Sequence, residues 1–487
     1  MTRAALCRVL RAPPDSCENT GMLLKNDVSV NLMRHNFTRS YPFKAILSEL
    51  TKVDFGPEGK QLVQNAIVKH GLRPGDFNLS AFDDGGYLFS EAIMYPPPEK
   101  WRFEIFNSEE SLQYEVEPEH GRVIAQLIRL LTKHDDEARA RQLFRLFAPE
   151  AQFDRLLSAS QPRPEPWPLI DEPGVYRREH ASFAIRSRTT SILFDPVRLL
   201  KIAPGIVNTP PPRPGEKWDA ILISHGHDDH WHIPSLLSES DPDTTIVVPR
   251  LERTSLLTPM NFSSELALIG QKHAAPAWGE TIRIGDIEID ILPFYGEQPT
   301  RAGPVPYGGM RSMGNCFRVN TPDFSVLVLI DSGTEPGGDM VPVIEESVRK
   351  RGPFDLVMCC LREFHSPFFG GLATYWATLP IEGLRALWRQ FKERRLPLTT
   401  AGPKDAAEVM RVAKARYFLP YAHGFEKAGV PISDVSWGAG DPSETEMVKR
   451  MASHLKFDTK CPDWNCGDRA AFRGGQLVID RYRDLPK

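Results

Sequence analysis

Cysteine is scarce in this 487-residue chain, with seven residues spread as Cys7, Cys17, Cys316, Cys359, Cys360, Cys461 and Cys466. An odd, scattered set excludes a disulfide framework. The pair in CPDWNC lacks the spacing and the matching second half of a structural zinc site. No apolar run approaches the roughly 18 residues that a membrane span needs, and the N-terminal segment shows neither a long apolar stretch nor a cleavage site. A formal net charge of -4 offers no global positive field for nucleic acid or an anionic membrane. The expectation is a cytoplasmic protein with no nucleic-acid and no membrane partner, in which Met22 is an alternative start to Met1. No internal repeat stands out.

What is present is ordinary in bulk and specific in detail. Hydrophobic residues at 41% and DEKR at 25% place the chain among globular proteins, and its length suits two or more domains. Five prolines between residues 158 and 174 interrupt every helical or strand period, which marks a linker over 161–174. Upstream, HGRVIAQLIRLLTKH and DDEARARQLFRLFAPEAQFDRLL space apolar residues by three and four, predicting two amphipathic helices. The runs GGYLFSEAIMY and KWRFEIF read as strands. Residues 1–160 are thus expected to form a smaller α+β domain for dimerisation, for covering the site or for docking a partner. From 175 to 487 short β-rich runs come first (HASFAIRS, TSILFDP, DAILISH, TTIVVP, TIRIGDIEIDILPF, NCFRV, FSVLVLID), and helices alternate with strands later. That order predicts two sheets flanked by helices.

Chemistry concentrates in ILISHGHDDHWH, residues 221–232. An apolar strand ends at Ser224, and His225 and His227, two apart on extended backbone, fall on one side. Asp229 and His230 sit on the following turn, where they can reach a second ion. Gly226 permits the tight path between them. Three histidines and an aspartate within six residues at a strand end point to metal rather than to core or surface histidines. His232 stands outside the pattern and reads as structural.

The signature His225, His227, Asp229, His230 resembles that of the metallo-β-lactamase superfamily, over about residues 175–430. The resemblance implies an αββα sandwich holding two metal ions, preceded by the smaller N-terminal domain. GVYRREHASFAIRSRTTSILFDP looks like the opening strands of the lactonase and phospholipase-D-like branch, with His180 read as structural. VLVLIDSG ends a strand at Asp331, where the family has its metal-bridging aspartate. The family's third histidine is missing after TIRIGDIEIDILPF, and the metal-capable side chain standing there is Glu297. For the last ligand, His365 after FDLVMCC and His423 at the end of RYFLPYAH both remain open, with His365 slightly preferred.

Glutamate in the third position hardens the site toward iron or manganese, and His225, His227 and Glu297 together resemble a two-histidine, one-carboxylate arrangement. This is similar to the non-haem di-iron oxygenases typified by the chloramphenicol-biosynthesis β-hydroxylase. The resemblance implies two Fe ions (Zn or Mn as alternatives), O2 as cosubstrate, an external electron donor and redox partner, and catalytic roles for Glu297 and Asp331. It also implies an amino-acid-derived substrate, free or bound to a carrier protein, hydroxylated or N-oxygenated in antibiotic biosynthesis. In the Gly- and Pro-rich segment 297–316, Arg301, Tyr307 and Arg311 are the candidate substrate contacts. The rival reading is a di-zinc hydrolase of lactonase or phosphodiesterase type. A homodimer through the N-terminal domain is the expected assembly.

Overall fold

The computed structural model describes residues 22–24, 29–34, 46, 49–90, 101–106, 109–134, 136–161, 167–197, 216–227, 229–251, 261–296, 314–335, 338–363, 379–395, 398–422, 443–455 and 458–485. Among them the N-terminal strands are β1 (Met22–Leu24), β2 (Ser29–Arg34), β3 (Trp101–Phe106), β4 (Ser111–Val116) and β5 (Leu157–Gln161). A first large sheet joins β6 (Gly174–Arg177), β7 (Phe183–Arg186), β8 (Ser191–Phe194), β9 (Ala220–Leu222), β10 (Thr245–Val247) and β11 (His273–Ala274). A second holds β12 (Thr281–Ile284), β13 (Ile287–Pro293), β14 (Asn315–Asn320) and β15 (Ser325–Ile330). After the small pair β16 (Thr334–Glu335) and β17 (Gly338–Asp339), it continues through β18 (Leu356–Cys359) and β19 (Tyr417–Pro420). The chain then returns to the first sheet with β20 (Arg469–Arg473) and β21 (Gln476–Asp480), β20 pairing antiparallel with β6.

Strand alternation explains why the two sheets stack. In β7, β8 and β9 the side chains of Phe183, Ile185, Ile192, Phe194, Ala220 and Leu222 enter the core between the sheets, while Ala184, Leu193 and Ile221 join the core on the other face. Successive side chains of a strand point to opposite faces, so strands covered on both sides read as continuous apolar runs. Phe183 stacks on Phe194 at 4.5 Å between ring centroids, and Phe194 meets the ring of Phe317 from β14 at 5.4 Å. The helices Met340–Arg351, Gly402–Ala413 and Glu444–His454 supply Ile344, Met410 and Met451 to this core, making the expected layered sandwich.

The other face of the first sheet is covered by residues from the N-terminal part. Val30, Phe103, Ile105, Val123, Ile124 and Leu127 form one hydrophobic cluster with Leu193, Ile221, Ile246 and Leu236, so sequence on both sides of the proline-rich segment shares a core. Gly121 opens the helix Gly121–Arg129, and a Cβ there would lie 2.0 Å from the carbonyl of Leu268; only glycine allows that approach. A third cluster packs Leu50, Phe55, Val63 and Phe82 on Ile381, Leu384 and Leu387 of the helix Ile381–Lys392, which lies in the connection between β18 and β19.

Two expected elements are corrected. In GGYLFSEAIMY the described residues 85–90 form isolated bridges at Tyr87 and Phe89 rather than a strand. The second amphipathic run is two helices, Glu137–Phe144 and Glu150–Leu156, because Pro149 has no N–H to continue a helix and takes extended backbone at ψ 143°. The helix Glu444–His454 and the β20–β21 hairpin are further elements that the strand and helix patterns did not indicate. No helix of the described residues is long and apolar enough to cross a membrane.

Candidate metal centre

Parallel strands bring the functional side chains to one end of the sandwich. In the first sheet β8 and β9 run parallel, with Phe194 opposite Leu222, so Asp195 and the Ile223–His225 segment leave the sheet together. In the second sheet β15, β18 and β19 are parallel and deliver Asp331, Cys360 and Tyr421 to the same end. The backbone joins the two tips: Asn315 N–H donates to the Ser224 carbonyl at 2.6 Å, and His225 bridges Gly314. A bulge lies between Val328 and Ile330, and Ile330 adopts φ +57°. A β-branched residue in the left-handed region is strained, which marks the turn into Asp331 as a functional position.

Hydrogen bonds set the imidazoles. Asp195 is 1% exposed and its carboxylate accepts from Ser224 N–H at 2.7 Å, from Ser224 Oγ and from His230 Nδ1 at 2.9 Å. Because Ser224 Oγ donates to Asp195, it accepts from His225 Nδ1 at 3.0 Å. Both histidines therefore carry their proton on Nδ1 and turn Nε2 toward the centre, the way an outer partner fixes the tautomer of a metal ligand. His225 Nε2 is 3.0 Å from His227 Nδ1. Asp331 Oδ2 lies 3.1 Å from His230 Nε2 and 3.9 Å from His225 Nε2. Asp229 Oδ2 lies 3.8 Å from His230 Nε2 and accepts from His180 Nε2 at 2.9 Å.

These atoms form two groups, His225 with His230 and Asp331, and His180 with Asp229 and His230, each with its ligand atoms within 4.8 Å of one another. Two bonds of about 2.1 Å at tetrahedral or octahedral angles put ligand atoms roughly 3 to 3.5 Å apart, so the spacing suits cations. His230 Nε2 is buried, and its one close approach, to Asp331 at 3.1 Å, falls short of a well-formed hydrogen bond, so a metal between the two would satisfy both.

The electrostatics agree. Burial lowers the His225 pKa well below the usual imidazole value, helped by His230 and His227, so His225 is neutral and its Nε2 lone pair, which faces His227 Nδ1, is one a metal can take. Burial opposes charge on His230 too, but Asp229, Asp195 and Asp331 outweigh it and raise the pKa well above the ordinary range. For Asp229 burial is likewise overcome, by His230 and His180, and the carboxyl stays well below its usual pKa. A pocket that draws a proton onto His230 through three carboxylates has a surplus of negative charge that a cation balances.

The structure brings together His225, His227, Asp229, His230 and Asp331. Glu297, Arg301, Tyr307, Arg311, His365 and His423 lie outside the described residues. Two members of the site were not assigned to it from the sequence. His180, read as structural, is 5% exposed and bonded to Asp229; its segment is anchored by Arg178, which pairs with Glu239 at 2.8 Å. Asp195 in TSILFDP looks like a turn residue, and the sole signal was a carboxylate at the end of a strand buried on both faces. His232 caps the helix Ile233–Glu239 through Ser235, consistent with its structural reading.

Residues 175–327 match the family model for the beta-lactamase superfamily domain. This region is a metallo-β-lactamase-fold domain. The chain is also 26% identical over 277 residues to the 4-amino-L-phenylalanyl-[CmlP-peptidyl-carrier-protein] 3-hydroxylase of Streptomyces venezuelae, a match covering 55% of this chain and 47% of that protein. The matched region thus spans about half the length of that curated relative. Among solved structures, CmlA, a diiron β-hydroxylase from Streptomyces venezuelae, superposes with a TM-score of 0.56 at 15% identity, covering 95% of this chain and 100% of that one. A glutamate-to-aspartate mutant of the same β-hydroxylase gives 0.51 at 16% identity, covering 83% and 92%. The metallo-β-lactamase-fold domain places His225, His227, Asp229 and His230 beyond β9, and Asp331 beyond β15.

Proposed function

We propose that this chain is a non-haem di-iron oxygenase that hydroxylates or N-oxygenates an amino-acid-derived substrate in antibiotic biosynthesis, presented as a thioester on a carrier protein. The observation that carries the reading is the acid-rich pocket at His230, combined with a carboxylate, Glu297, where hydrolytic relatives have a third histidine. His225, His227 and Glu297 would hold one ion, Asp229, His230 and one further histidine the other, with Asp331 between them. Iron, when bound, supplies activation of O2 and the one-electron steps that the side chains cannot.

Chain connectivity supports Glu297 and points to one candidate for the last ligand. Phe294 lies against the His225 ring at 5.1 Å, and the Tyr295 carbonyl accepts from Gly333 N–H at 2.7 Å, two residues beyond Asp331. Gly296 has φ +120°, and a Cβ there would lie 1.9 Å from the Thr399 carbonyl and 2.9 Å from Gly333 N, so the residue before Glu297 sits against the segment that follows Asp331. Ala422 N–H donates to the His180 carbonyl at 3.1 Å, while the His180 ring holds Asp229. His423 follows directly, and we assign it the last position ahead of His365. Asp195, Ser224 and His180 would orient the ligands, and the apolar wall of Phe183, Phe194 and Phe294 would keep bulk water from the centre.

The three ligand histidines among the described residues, His225, His227 and His230, also suit zinc, which is the observation behind the di-zinc hydrolase reading. The test is oxygen uptake by the reduced protein given an aminoacyl carrier protein, with mass analysis of the released acid. Uptake coupled to a 16 Da gain supports the oxygenase. Hydrolysis of a lactone or phosphodiester without oxygen uptake supports the alternative.

A further inference from the structure

We propose that the Tyr421 hydroxyl takes its hydrogen-bond acceptor from the metal-loaded centre, donating to an oxygen ligand held there. This rests on the metal reading above. Tyr421 is 1% exposed, and its hydroxyl has no hydrogen-bond partner among the described residues. Such a group is rare, because burying a hydroxyl without a partner forfeits its hydrogen bonds to water. Its position says where the partner belongs. Tyr421 leaves β19 at the end where the site is built, with its N–H on the Cys359 carbonyl at 3.4 Å and the next residue bonded to His180. Its ring stands edge-on to Phe183 at 5.2 Å, and Phe183 is stacked on Phe194, the residue before Asp195. The Tyr421 ring thus packs beside the strand that leads into Asp195, one residue from the backbone bond to His180, and what its hydroxyl lacks is an acceptor that arrives with the metal.

Tyr421→Phe keeps the ring and removes only the hydroxyl. If its acceptor comes with the metal, the metal-free variant melts at the wild-type temperature or higher, because an unsatisfied buried group is gone. Its metal-induced rise in Tm is smaller, and ferrous-ion affinity, read by chelator competition, falls about tenfold, as for other outer partners of metal sites. Tyr176→Phe is the comparison: that buried hydroxyl already donates to the Glu172 carbonyl at 2.8 Å, so its loss lowers Tm equally in both forms. Equal Tm changes for Tyr421→Phe with and without metal, or unchanged affinity, would overturn the assignment. Should the variant fold poorly, the wild-type ultraviolet difference spectrum on metal addition decides: a tyrosine band is expected, and its absence contradicts the proposal. If the wild type takes up no metal, the site reading falls with it; if both proteins load alike, only the role of Tyr421 falls.

Discussion

Removing the charge on Asp195 should separate the outer frame of the centre from its ligands. In the folded chain this carboxylate accepts from Ser224 N–H, Ser224 Oγ and His230 Nδ1 while 1% exposed. Asparagine has the same shape but one acceptor oxygen and an NH2 group, so the amide must face either the serine or the imidazole with a donor. The lost charge-assisted bond is worth about 1.5 to 3 kcal/mol, and losing an outer partner of this kind weakens metal binding about 10- to 100-fold. Asp195→Ala leaves all three donors without an acceptor and should cost about 3 to 5 kcal/mol in the metal-free protein. Chelator competition measures the first quantity and urea unfolding the second. Affinity of Asp195→Asn within twofold of wild type, or an alanine variant within about 1 kcal/mol, would refute the idea that Asp195 frames the site.

Three other substitutions follow from the same picture. Glu297→His should shift retention from iron toward zinc and lower oxygen-dependent turnover, checked by elemental analysis and an oxygen electrode; unchanged iron and activity would remove Glu297 from the shell. His423→Ala should lose about half of the bound metal while His365→Ala keeps it, and the opposite pattern would move the last ligand to His365. Burial depresses the His232 pKa to about 4, below its unfolded value near 6.5. A depressed pKa gives stability that is present above pH 6.5 and lost as pH falls toward 4, at most about 3 kcal/mol for this shift. His232→Asn keeps a helix cap and should flatten the decline of Tm between pH 6.5 and 4; an unchanged slope would place the acid sensitivity elsewhere.

Much of the fold is readable because β7, β8, β9 and β15 are apolar on both faces and give way within two residues to polar ones. The His225 to His230 cluster is readable for a local reason, four ligand side chains within six residues of one strand end. Asp195 was not, since its partners Ser224 and His230 lie 29 and 35 residues away and nothing local distinguishes it from a turn aspartate. The same holds for His180 and Asp229, 49 residues apart. The closing hairpin β20–β21 carries a recognisable Gly474-Gly475 turn with φ of +56° and +74°. Its pairing with β6, however, links Ala470 to Val175 across most of the domain, and such a contact leaves no trace in spacing. The shared core of the N-terminal part and the first sheet was hidden for a similar reason: prolines mark a break in secondary structure, not a break in packing.

The account depends most on a carboxylate-rich pair of iron ions at the strand ends. Mössbauer spectroscopy of protein produced with 57Fe and without added zinc, together with elemental analysis, tests it directly. The account predicts close to two irons per chain with the spectrum of a coupled pair. Two zinc ions per chain with no iron would contradict it and leave the sandwich serving hydrolysis.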